Sequence, residues 1–168
     1  MDAQSMEMMR KFASKISDGN VFSSAMSVLD VGALDVNGSY RELFPAPKFM
    51  YMGMDIVPGK NVDIVVKDPH KYTEVADAGW DVVISGQALE HVEDIYAVAD
   101  EKIRVLKKNG LMCIIVPCCW EEHRFPIDCW RFYPDGLRWL FVKRHPLLME
   151  EVAIGTQGNL CIAVLRRI

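Results

Sequence analysis

Ser27-Val28-Leu29-Asp30-Val31-Gly32 is an apolar run that ends in an acid and a glycine. The next apolar run, Phe49 to Asp55, closes on Met52-Gly53-Met54-Asp55 and so also ends in an acid. In a parallel α/β sheet two such ends lie side by side at the carboxyl edge, the crevice where nucleotide-like ligands bind. A glycine at the first end lets backbone approach a ligand, and a carboxylate at the second suits a ribose diol. The pair predicts a site for an adenosine-bearing cofactor.

Outward from this pair, the chain alternates strand and helix patterns. Met6, Met9, Phe12, Ala13 and Ile16 recur at helical spacing and predict an amphipathic N-terminal helix. Ala25 to Asp30 reads as the first strand, Phe49 to Asp55 as the second and Val62 to Val66 as the third. Between the first two, Ser39 caps a short helix that must stop near Phe44, because Pro45 and Pro47 follow. A helix is predicted over His70 to Ala78. The nearly unbroken run Trp80 to Ser85 suits a strand covered on both faces. Ile95, Val98, Ala99, Lys102, Ile103 and Leu106 form the stripe of a further helix, ended by Asn109-Gly110. Leu111 to Val116 is a fifth strand, Pro117 to Phe132 is irregular and aromatic, and Pro134 opens a last helix. Met149–Ile154 and Leu160–Leu165, separated by a glycine-rich turn, predict an antiparallel hairpin. The expected fold is a doubly wound, mostly parallel α/β sheet in a single domain over 1–168, with that hairpin at its edge.

Totals exclude several classes. The chain has 168 residues, 51% of them apolar and 25% charged, within the range of an ordinary globular protein. A net charge of −4 supplies no electrostatic reason to bind nucleic acid or an anionic membrane. Neither a secretory signal nor a membrane span is legible. With an odd count of five cysteines, this points to a reducing, cytoplasmic setting. Cys118, Cys119, His123 and Cys129 lie close in sequence but lack a paired CxxC spacing, so no metal site is expected from them.

Together these segments resemble a class I S-adenosylmethionine-dependent methyltransferase of the small-molecule, type 11-like group. The resemblance runs from Val28 to Ile168. It rests on Val28-Leu29-Asp30-Val31-Gly32, Met54-Asp55, Lys67-Asp68, Trp80 to Ser85 and Leu89-Glu90-His91-Val92. Val105 to Gly110 and Trp130 to Leu137 complete it. The resemblance implies that Asp30 and Gly32 face the methionyl part of S-adenosylmethionine and that Asp55 holds the ribose hydroxyls. It also implies that Asp68 lies near the adenine edge, with Ser85, Gly86 and Gln87 beneath the sulfonium. The family's glycine loop usually reads D-x-G-x-G-x-G; here Leu34 and Val36 occupy the second and third glycine positions, and Asn37-Gly38 offers a later turn. The nicotinamide alternative needs glycines at 34 and 37 and meets Leu34 and Asn37.

A sulfonium is an activated methyl donor, so the protein's main task is alignment, worth about 7–11 kcal/mol of barrier. A hydroxyl acceptor gains a further ~10²–10⁴-fold from a base. The candidates are His91, His123 and Asp128. Glu90 and His91 can instead orient loops, and the aromatic stretch around His123 can be a lid over the acceptor or a wrap over the sheet edge. Asp30 and Asp55 have equivalent readings as loop-capping or strand-end turn residues, and Asp68 as the opening of an Asp-Pro turn. The cations Lys102, Arg104, Lys107 and Lys108 read as a solvated helix face. Ser85-Gly86-Gln87-Ala88 lacks the Asn/Asp-Pro-Pro-aromatic run of enzymes that methylate base amino groups. The expected function is methyl transfer to a small-molecule or glycan-like acceptor, with self-association left open. The alternative is a non-catalytic module of the same fold that holds a cofactor or partner.

Overall fold

The computed structural model describes residues 2–18 and 25–168. One seven-stranded sheet runs in the order β3-β2-β1-β4-β5-β7-β6. Its strands are β1 (Met26–Val31), β2 (Phe49–Asp55), β3 (Ile64–Val65), β4 (Trp80–Gly86), β5 (Leu106–Pro117), β6 (Met149–Gln157) and β7 (Leu160–Arg167). β1 to β5 pair in parallel, whereas β7 runs antiparallel to both β5 and β6. The mostly parallel sheet with a closing hairpin is therefore the fold observed.

Each face has its own core. The helix α1 (Ala3–Asp18) buries Met8, Met9, Phe12, Ala13 and Ile16 against Met26, Val28, Ile84, Cys113 and Ile115. On the other face α2 (Ile95–Val105) and α3 (Pro134–Arg138, continued by wider turns over Trp139–Lys143) cover Leu29, Val31, Val83, Met112 and Ile114. Side chains alternate along a strand, so Val28 and Asp30 of β1 belong to the α1 face, and Leu29 and Val31 to the α2 face. The parallel register sets Asp30 opposite Gly53 and Val31 opposite Met54, which brings Gly32 and Asp55 to the same sheet edge.

Three local expectations are corrected. No helix forms over 70–78, where turns run instead. Carbonyls that a helix would bond internally are taken by Arg104, whose guanidinium donates to Tyr72 O at 2.9 Å and Val75 O at 3.0 Å. The helix α2 starts where Asp94 Oδ1 accepts the Tyr96 and Ala97 N–H groups, both at 3.0 Å. It ends at Val105 rather than at Asn109-Gly110, because Leu106 already pairs with Trp80; Asn109, at φ 65°, lies where the β4–β5 register shifts. Finally, Lys102 is not on a solvated face: it is 1% exposed, inside the α2 core stripe.

Candidate functional site

A cleft of about 880 Å³ opens at the carboxyl ends of β1, β2 and β4. Its size falls in the range of about 300–1,000 Å³ that ligand clefts occupy. The loop after β1 forms one wall. Gly32 adopts φ +86°, and a Cβ there would collide with the Ala88 side chain, so the turn requires glycine. The Gly32 and Ala33 N–H groups both donate to Met54 O, at 2.9 and 3.0 Å, which locks the loop to the end of β2.

Both bulky loop residues line the cleft. Leu34 packs over Gly59, occupying the space where a Cβ on that glycine would sit. Val36 is exposed along the wall. The turn closes without the missing glycines: Asp35 Oδ1 accepts the Gly38 N–H at 2.7 Å, and Gly38 takes φ 133°.

Asp55 stands on the cleft wall, half-buried. Its Oδ2 accepts the Leu34 N–H at 3.0 Å and its Oδ1 the Ile56 N–H at 2.7 Å. An ionised carboxylate offers about four lone-pair positions, so acceptor capacity remains toward the cleft. Ile56, Val57, Val66, Pro69 and Tyr72 make the adjacent wall apolar, as a flat aromatic base requires.

Asp30 is placed differently from Gly32. It is 2% exposed, beneath the loop on the α1 face, with the Tyr51 hydroxyl donating to Oδ2 and with Oδ1 unpartnered. Burial pushes its carboxyl up to about 7, against the opposing pull of the Tyr51 bond. Asn61 Nδ2 donates to Tyr51 Oη at 3.1 Å and to Ala33 O at 2.7 Å, so this network supports the loop from below.

After β4, Ser85 is buried and donates to Val31 O at 2.7 Å, tying β4 to β1. Gly86 lies on the floor of the cleft, packed so closely over Tyr40 that a Cβ would meet the ring. Gln87, at φ 54°, also lines the floor; its N–H donates to Ile115 O at 2.8 Å and its side chain to Asp2, ahead of α1. Asp68 stands apart from this group. It is exposed, accepts the His70 N–H at 2.8 Å and closes a turn, while Pro69 and His70 reach the wall.

His91, His123 and the loop 124–127 also line the cleft. His91 Nδ1 lies 2.6 Å from Ile127 O, and burial holds its pKa below the ordinary imidazole value. The His123 N–H donates to Asp128 Oδ2 at 2.7 Å. Asp128 is itself buried and gripped on both oxygens by Arg131, at 2.5 and 2.7 Å, which holds its carboxyl far below the usual range. Arg131 also donates to Trp120 O at 3.0 Å and Glu121 O at 2.8 Å, so one guanidinium shapes the whole loop. Between the two histidines Glu90 is completely buried, both carboxyl oxygens lack partners, and burial pushes its pKa up to about 8. None of the cysteines joins a metal-ligating group among the described residues; His123 gathers instead with Glu90 and His91.

The structure thus brings Gly32, Asp55, Gly86, Gln87, His91 and His123 around one cleft and sets Asp30, Ser85 and Asp128 behind it. The position of Lys102, whose side chain reaches the cleft, was not anticipated. Its signal was present, since Lys102 falls inside the helical stripe of Val98, Ala99 and Ile103 rather than opposite it.

A family model described as a methyltransferase domain matches residues 29–114, just over half of the chain, and the chain belongs to that family. No curated protein sequence matches it. Among solved structures, a 1,6-didemethyltoxoflavin-N1-methyltransferase from Burkholderia thailandensis, holding S-adenosylhomocysteine, superposes with TM-score 0.74 at 15% identity; the match covers 99% of this chain and 79% of that one. An Aquifex aeolicus S-adenosylmethionine-dependent methyltransferase gives 0.66 at 16%, covering 100% and 99%. The methyltransferase partner of Trm112 from Haloferax volcanii gives 0.65 at 15%, covering 98% and 94%. The protein is an enzyme of the class I methyltransferase type, with S-adenosylmethionine as its methyl donor. No helix among the described residues is long and apolar enough to cross a membrane.

Proposed function

We propose that this enzyme methylates a small, oxygen-bearing acceptor, of metabolite or sugar-like size, held between the cleft floor and the 123–127 loop. The observation that carries the reading is one cleft lined both by Gly32 and Asp55 and by His91 and His123. Gly32 permits close backbone approach, Asp55 keeps lone pairs for a ribose diol, and the apolar wall from Ile56 to Tyr72 suits adenine, so the residues fit S-adenosylmethionine. Gly86 and Gln87 line the floor between the walls. Asp30 and Ser85 support the floor from behind, and Asp68 shapes the turn that presents Pro69 and His70.

When bound, the sulfonium supplies an activated methyl group and departs as a neutral thioether. His91 carries the Nδ1 proton on the Ile127 carbonyl, which leaves Nε2 free to receive a hydroxyl proton as the new C–O bond forms. Asp128 positions His123 and the loop rather than acting as a base, since Arg131 keeps it ionised and occupied. Phe125, half exposed, also lines the cleft.

Calorimetric titration with S-adenosylmethionine, S-adenosylhomocysteine and NAD tests the donor side. Micromolar binding of the first two, lost in Asp55→Ala, supports the proposed site. A panel of hydroxylated, amine and thiol acceptors, read by release of S-adenosylhomocysteine, tests the acceptor side. Turnover confined to amines or thiols would overturn the oxygen assignment.

A further inference from the structure

Three side chains on the acceptor wall turn polar atoms toward one another. A carbonyl oxygen only accepts, so His91 Nδ1, 2.6 Å from Ile127 O, carries the ring proton and Nε2 carries none. His123 Nδ1 likewise lies 3.2 Å from Glu121 O and 3.5 Å from Asp128 Oδ2, so Nε2 is the ring nitrogen turned toward Glu90. Both Nε2 atoms are 3.8 Å from the same atom, Glu90 Oε1. That spacing is too long for a shared proton. Both oxygens of the fully buried Glu90 lack a hydrogen-bond partner, and the three groups lie within 4.8 Å of one another. The nearby guanidinium of Arg131 is spent on Asp128 and on backbone carbonyls.

A fully buried carboxyl group with no hydrogen-bond partner on either oxygen, facing two imidazole nitrogens, is a costly arrangement in a folded chain. A metal ion resolves it. We infer that Glu90, His91 and His123 form a binding site for a divalent ion of the zinc class, open toward the cleft. Two imidazoles select such borderline ions over magnesium or calcium. The second nitrogens are already tied to the backbone carbonyls of Ile127 and Glu121, which is how ligating histidines are oriented. Bonds of about 2.0–2.2 Å put tetrahedral ligands about 3.3–3.6 Å apart; the two 3.8 Å separations from Glu90 Oε1 exceed that by a few tenths of an ångström, and the whole group lies within 4.8 Å. Three protein ligands leave a position for an oxygen from the cleft. An ion there would activate a hydroxyl acceptor in place of a free imidazole; this consequence rests on the proposed function, whereas the ion site does not.

The test uses full-length protein stripped with a chelator and needs no methyl donor. Zn²⁺ is titrated calorimetrically, and Co²⁺ by its visible absorption, which reports four- or five-coordinate binding. One equivalent should bind with micromolar or tighter affinity. His123→Ala, at a partly exposed position, should weaken it at least 100-fold, and Glu90→Gln at least 10-fold, while His70→Ala on the neighbouring wall leaves it unchanged. Melting curves identify any variant that fails to fold; His123→Ala then decides. Absence of binding below about 100 μM overturns the site. So does binding equally tight in His123→Ala and Glu90→Gln, which would place the ion on the exposed thiols Cys119 and Cys129. Methyl transfer measured separately keeps failure of the ion site distinct from failure of the acceptor assignment.

Discussion

The Asp55 carboxylate accepts the backbone N–H of Leu34 at 3.0 Å, so the acid ending β2 and the loop after β1 are one unit. The bond holds the Leu34 loop against Gly59 at the rim of the cleft, at the position where the family's loop usually has a second glycine. A single side chain thereby ties the loop after β1 to the end of β2.

Asp55→Ala removes both that tie and the proposed ribose acceptor. A charge-assisted hydrogen bond is worth about 1.5–3 kcal/mol, so affinity for S-adenosylmethionine should fall roughly 10- to 150-fold. Asp55→Asn, which retains an acceptor for the Leu34 N–H, should lose less. Calorimetric titration of the three proteins checks the order.

Gly32→Ala puts a methyl group at φ +86° against the Ala88 side chain. The left-handed backbone alone costs a substituted residue roughly 1–2 kcal/mol, and the collision adds to it. Urea denaturation should show a lower midpoint, with donor binding impaired in the fraction that remains folded.

Lys102 is buried, and burial lowers its amine to about 7. The fold disfavours its proton, so it contributes no penalty above the ordinary lysine value. The penalty grows as pH falls toward about 7 and is constant below. Lys102→Met should therefore stabilise the protein, on the order of 2–4 kcal/mol at pH 6–7. The advantage should fade as pH approaches 10. Denaturant melts across that pH range read the difference; a pH-independent gap would contradict the assignment.

Arg131→Ala deprives the buried Asp128 of its partner and frees the Trp120 and Glu121 carbonyls. A loss of roughly 2–5 kcal/mol is expected, with faster proteolysis confined to 118–132. Arg131→Lys should not rescue it, because an ammonium cannot grip both oxygens and two carbonyls at once.

The sheet and the two strand ends were legible because their signals are local. Apolar runs that stop at an acid or a glycine, and a proline or glycine that halts a helix, act over a few residues of chain. The helix expected over 70–78 failed for a reason that no local pattern carries: Arg104, distant in sequence, takes its carbonyls. The early end of α2 is similar, since pairing of Leu106 with Trp80 outcompetes another helical turn.

By itself, then, the sequence determined the strand order's raw material, the carboxyl-edge position of Gly32 and Asp55, and the family. Tertiary structure alone decided which acids face the cleft. Strand pleating sets Asp30 beneath the loop, Arg131 occupies both oxygens of Asp128, and the loop return brings His123 beside Glu90 and His91 from far along the chain. Burial and pairing set the charge and reach of each carboxylate, and both arise only when distant segments pack.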